Sequence, residues 1–129
     1  MNFISTVYSW LGLVQPMPEN VTLILSLKLG PLQVGTLRSD HGEWVFSYAE
    51  EFRVQSEIKP IVDFPDVNRD YRSKTLWPFF ALRIPSPAQP AVQQYLHVHG
   101  LNQVDEGTLL KEFGRRSIAN PFELIPVAA

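Results

Sequence analysis

Hydrophobic and polar positions change period along the chain, and the changes divide it. Over residues 1–14, Phe3, Ile4, Val7, Trp10, Leu11 and Val14 fall on one helical face. This spacing predicts a short amphipathic helix packed on the domain or on a partner. Pro16 and Pro18 end it, because proline lacks an amide donor and restricts the residue before it. From Val21 the period becomes two. Val21, Leu23, Leu25, Leu27 and Leu29 alternate with Thr22, Ile24, Ser26 and Lys28, the pattern of a strand with one face buried. Gly30 and Pro31 signal a turn. Leu32, Val34 and Thr36 then alternate with Gln33, Gly35 and Leu37 in a second strand. Ser39, Asp40, His41 and Gly42 read as a four-residue hairpin loop with positive φ at Gly42. Residues 43–48 make a third strand, with Trp44, Phe46 and Tyr48 on one side and Val45 and Ser47 on the other. Two successive hairpins give an antiparallel meander.

Beyond the meander the elements shorten. Residues 49–53 predict a turn or helical piece leaving the sheet. Residues 59–65 read as an extended edge segment, since Pro60 and Pro65 forbid a central strand. Residues 66–74 are polar and charged and read as an exposed loop. A helix is expected from near Thr75, with Pro78 tolerated in its first turn and an end no later than Ile84, before Pro85. The next helix starts either at a capping box on Ser86, Pro87, Ala88 and Gln89, or at Gln89 and Pro90. Val92, Tyr95, Leu96 and His99 give it one face, and Gly100 closes it. Asp105 caps a helix carrying Leu109, Leu110 and Phe113, with Gly114 as terminator. Residues 121–127 suit a final strand returning to the sheet. The expected fold is α+β: a small antiparallel meander with short helices packed on one side. Residues 1–20 form the N-terminal helix and linker, and residues 21–129 the domain.

Composition agrees with a globular chain. At 129 residues it makes one domain that buries about two thirds of its unfolded surface. Apolar residues are 45% and charged residues 19%, which excludes a disordered composition. A net charge of −2 weighs against binding nucleic acid through bulk positive charge. The sequence has no cysteine, which removes disulfides, thiolate metal sites and cysteine nucleophiles and suits a reducing cytoplasm. The apolar N-terminal run has no Lys or Arg before it and no small-residue cleavage site after it, and it is too short to span a bilayer. No membrane association is expected.

Catalytic motifs fail one by one. Asn68, Arg69, Asp70 and Tyr71 resemble a kinase catalytic loop, but that motif needs Asn five residues after its Asp, and position 75 is Thr. His97 and His99 point roughly 200° apart on a helix and do not share a metal there. Ser117 lacks the flanking glycines of a nucleophile elbow, and no Gly-rich phosphate loop occurs. The sequence predicts no catalytic residue, no metal site and no cofactor.

The aromatic residues therefore carry the functional reading. Residues 63–85 hold the densest apolar and aromatic cluster, centred on Leu76, Trp77, Pro78, Phe79 and Phe80. Trp44, beside Phe46 and Tyr48, reads as core. Trp77 follows a polar basic loop and precedes a proline, so it reads either as core or as an outward interface anchor of the kind enriched among hot spots. Arg115 and Arg116 read either as a solvated helix end that complements the macrodipole or as a contact for an acidic partner.

Val34, Gly35, Thr36 and Leu37 followed by the strand from Trp44 to Tyr48 resemble the opening of HipA-type kinases. Pro60-Ile61, Leu76 to Phe80, Ile84-Pro85, Leu109-Leu110 through Phe113, Gly114 and Arg115, and residues 122–126 continue the resemblance in the same order. It covers about residues 21–127. A HipA-type protein continues into a large ATP-binding kinase domain, and the sequence stops where that domain begins. The resemblance therefore implies a separate N-terminal subdomain, as in split three-component toxin–antitoxin systems. There a HipA-like kinase (HipT) phosphorylates an aminoacyl-tRNA synthetase, a HipS protein supplies the missing subdomain as antitoxin, and a HipB-like protein binds operator DNA. Implied partners are the HipT-like kinase and, in a ternary complex, the HipB-like protein, with no direct nucleic-acid contact by this chain. Alternative roles are a complementing or activating kinase subunit and a corepressor component. An inhibitor of this kind needs no chemistry of its own, only a wedge that keeps a two-lobed kinase open. The expected partner-binding residues are Trp77, with Arg69, Tyr71, Arg72 and Lys74 before it and Pro78 and Phe79 after it.

Overall fold

Leu25 and Leu27 are fully buried, and the sheet that buries them dominates the computed structural model, which describes residues 14–127. The helix expected over residues 1–14 falls, apart from Val14, outside the described residues. In chain order the elements are β1 (Val14–Gln15), β2 (Ile24–Leu29), β3 (Leu32–Asp40), β4 (Glu43–Tyr48), α1 (Glu50–Arg53), β5 (Tyr71–Ser73), α2 (Pro78–Ala81), α3 (Pro90–Val98), β6 (Val104–Asp105), α4 (Glu106–Phe113) and β7 (Glu123–Pro126). The main sheet has five strands in the order β5-β4-β3-β2-β7, and β1 pairs in parallel with β6 in a separate ribbon. Every pairing in the main sheet is antiparallel. The fold is α+β, as the pattern predicts.

Register decides what each face carries. Leu25, Leu37, Phe46 and Tyr71 lie in one cross-strand row, and Leu124, Leu27, Gly35 and Tyr48 in the next. This face packs against Phe52 of α1, Phe80 of α2 and Leu110 of α4 in one core cluster, which gathers the helices on that side. Each large side chain buried there contributes about 1.5–3 kcal/mol. A smaller cluster, Val92, Leu96, Val104 and Leu109, seats α3 and the β1–β6 ribbon. Ile24, Arg38, Val45 and Arg72 form a row on the opposite face.

Several local features depart from the pattern. The hairpin between β3 and β4 has a two-residue turn, His41 at φ 52° and Gly42 at φ 81°, because a turn with both central residues left-handed matches strand twist. Ser39 thus stays in the sheet, where its hydroxyl accepts from Leu23 N–H at 2.8 Å and donates to Val21 C=O at 3.1 Å. The alternation expected through Val34 to Leu37 breaks at a β-bulge: Leu27 pairs with Gly35 and Lys28 with Gln33, leaving Val34 over. Val34 and Gly35 are consequently both buried.

The loop expected over residues 66–74 contains β5, and that strand forms the sheet edge assigned to residues 59–65. Those earlier residues make no ladder. They cross the buried face instead, with Ile61 and Phe64 in the core. The helix expected from Thr75 begins only at Pro78 and ends at Ala81, with Trp77 still extended at ψ 151° as its N-cap. The residue before a proline is pushed out of the helical region. For α3 the start at Gln89 and Pro90 is the one adopted. Asp105 caps α4 as expected, accepting from Thr108 N–H at 2.7 Å. Val14 extends β1 rather than a helix, and Met17 is buried in the main cluster.

Candidate functional site

The candidate surface is organised by Phe64. Its ring is fully buried and stacks on Phe46 at 4.3 Å between ring centres. Tyr71 and Trp77 close over it at 5.1 and 5.0 Å, Trp77 edge-on at 78°. Trp77 is half-buried, with its ring against Phe64 of the core. Aromatic pairs in this geometry add about 0.5–1.5 kcal/mol beyond burial.

A carboxylate from outside α2 fixes its start. Asp63 Oδ2 accepts the Phe79 N–H at 3.0 Å, satisfying one of the donors a helix N-terminus leaves open. Pro78 occupies the first helical position, exposed, where its missing donor costs nothing. Phe79 is half-buried and meets Phe80 and Phe122 edge-on at 5.1 and 5.5 Å. Asp63, Phe64 and Phe122 were not among the expected site residues. The only signal for the first two was Phe64 as the lone aromatic between two prolines.

The basic residues divide. Arg69 is exposed, with its guanidinium carbon 4.8 Å from the centre of the Tyr71 ring. Tyr71 Oη accepts the Asp66 N–H at 2.8 Å, which folds the 66–71 turn back on itself. Arg72 points to the opposite sheet face, paired with Asp40 at 2.9 Å and Glu43 at 3.3 Å. Its hydrogen bond holds the Asp40 carboxyl below the usual range. Lys74 is exposed and borders a cavity of about 530 Å³ lined also by Val14, Leu76, Ile84 and Glu106. Burial pushes the Glu106 carboxyl up, opposed by the Trp44 Nε1–H that it accepts at 2.7 Å. The structure thus joins Tyr71 and Trp77 over Phe64, with Arg69 at the Tyr71 ring and Phe79 beside Phe80 and Phe122, and sets Arg72 apart.

The residues weighed for catalysis and metal binding are scattered. Asp70 is exposed just before β5. His97 is exposed on α3, while the His99 ring stacks on Tyr95 at 4.1 Å. Ser117 Oγ accepts the Ala119 N–H at 3.1 Å in an exposed turn. Among the described residues no group of three or more His, Asp or Glu is placed to hold a metal ion. No helix among them is long and apolar enough to cross a membrane.

The sequence model of the HipA N-terminal domain family matches residues 25–119. The chain belongs to that family. A solved structure described as the N-terminal domain of HipA toxin shares the fold, with a TM-score of 0.55 and 22% identity over 87% of this chain and 98% of that one. No curated protein matches. The matched span contains Phe64, Tyr71 and Trp77, while Phe122 and β7 lie beyond it.

Proposed function

We propose that this chain is a HipS-like antitoxin, a HipA N-terminal domain that binds a HipA-like serine/threonine kinase and inhibits it by contact. The observation that carries this reading is Trp77, a half-buried indole held on Phe64 at the start of a helix capped by Asp63. A preorganised aromatic loses little conformational freedom on docking and suits an interface hot spot. Trp77 with Pro78, Phe79, Tyr71, Arg69 and Lys74 enters or borders the kinase cleft and keeps its lobes from closing. The chain performs no chemistry and needs no cofactor. It acts in the cytoplasm, in a complex that also holds a HipB-like DNA-binding protein, and its net charge of −2 leaves the DNA contact to that partner.

The test mixes the purified chain with the HipA-like kinase from the same source and follows autophosphorylation. Binding with lost activity is expected. Binding with raised activity makes the chain a complementing subunit instead, and absence of binding overturns the reading. A Trp77→Ala variant that folds normally and still neutralises the kinase removes Trp77 from the mechanism.

A further inference from the structure

Among the described residues Arg83 is the charged side chain that lies buried, only 4% exposed. Its guanidinium has no carboxylate partner. Nη1 donates to the carbonyls of Gly114 and Arg115, both at 3.2 Å, and Nη2 donates to Asn120 Oδ1 and the Phe122 carbonyl, both at 2.9 Å. Nε is buried with no partner. Desolvation of this uncompensated cation lowers its pKa. A buried cation neutralised only by dipoles is costly to keep. What it secures is a closed loop, because its four acceptors lie at the two ends of residues 114–122. Asn120 Oδ1 also accepts the Phe122 N–H at 3.2 Å, and the Leu124 N–H donates to the Arg115 carbonyl at 2.9 Å.

The loop so fixed shows Ile118 entirely to solvent, at 110% relative exposure. Arg115 and Arg116 flank it, both exposed. They share one carboxylate, Glu123, at 3.0 and 3.6 Å. Lys28 is the cross-strand neighbour of Glu123. Three cations, Arg115, Arg116 and Lys28, thus surround one anion on a chain whose net charge is −2. A rigid loop that exposes a branched apolar side chain in a positive field has no use for either feature within its own fold.

We propose that residues 115–121 form a second docking element that inserts Ile118 into an apolar pocket bordered by Asp and Glu side chains on the kinase. This rests on the proposed function for the identity of the partner. The element is continuous with the Trp77 surface through the Phe79–Phe122 contact at 5.5 Å. Ile118 favours a protein over a nucleic acid, since it offers neither a stacking plane nor a hydrogen bond.

The test is a titration of the purified HipA-like kinase against the chain, its Ile118→Ser variant and its Arg115→Glu/Arg116→Glu double variant. Thermal melts establish that each is folded. The expected result is at least a tenfold weaker Kd for Ile118→Ser, and for the double variant a weaker Kd with a flatter salt dependence. Unchanged affinity in both variants overturns the proposal, and so does weakening confined to the double variant. Loss of duplex DNA binding by the double variant, with kinase affinity intact, assigns the loop to nucleic acid and also overturns it. A wild-type chain that fails to bind the kinase refutes the proposed function itself, which distinguishes the two failures.

Discussion

The Tyr48 hydroxyl donates to the Phe64 carbonyl at 2.6 Å and accepts from the Ile61 N–H at 2.9 Å, both bonds buried. One side chain in β4 thereby holds the irregular segment that carries the hub of the candidate surface. A Tyr48→Phe substitution leaves a carbonyl and an amide buried without partners. The expected loss is about 1–3 kcal/mol, read by chemical denaturation. Stability equal to wild type would show that water replaces the hydroxyl.

The same hydroxyl predicts an alkaline signature. Burial pushes the Tyr48 pKa from an ordinary 10 up to about 12. The unfolded chain then ionises first, so the contribution is complete below about pH 10 and is lost as pH rises towards 12. Stability should fall more steeply between these values in wild type than in Tyr48→Phe, by up to about 2 kcal/mol. Parallel curves would assign the alkaline loss to other groups.

The Asp63–Phe79 contact predicts a coupling between cap and function. Asp63→Ala removes the acceptor at 3.0 Å from the Phe79 N–H and should cost about 1 kcal/mol. Because the cap fixes the turn that sets Trp77, kinase affinity should fall as well. Asp63→Asn keeps an acceptor oxygen and should recover most of both losses. Recovery of stability without affinity would mean that the charge, not the cap, is what the kinase reads.

The meander, the turn at Gly30, the Asp105 cap and the closing strand were legible because each follows from a short pattern of apolar alternation or capping chemistry. The bulge at Val34 was not, because it is set by the pairing with β2 and leaves no mark on β3 alone. The edge strand β5 carries polar residues and pairs by backbone, so Tyr71 to Ser73 read as loop. The sequence left Trp77 open between core and outward anchor, because its support, Phe64, lies in a stretch without periodicity. Nothing in the sequence around Arg83 set it apart from other charged residues. Only the carbonyls that converge on it, from residues more than thirty positions away, reveal its role.

Gly35, beside the bulge, offers a test of the packing between β3 and β4. A Cβ at this position would lie 2.6 Å from the Ser47 carbonyl oxygen and 2.8 Å from the Phe46 ring. The first neighbour is backbone in a paired strand and cannot yield alone. Gly35→Ala should therefore cost about 1–3 kcal/mol, although alanine normally gains over glycine in a strand. The Phe46 ring would also be displaced, and with it the Phe64 ring stacked 4.3 Å away and Trp77 beyond. The Trp77 fluorescence spectrum should shift in the folded variant, with Trp10 and Trp44 replaced by Phe to isolate the signal. An unchanged spectrum in a destabilised protein would mean that the strain is absorbed in the β3–β4 ladder and does not reach the surface.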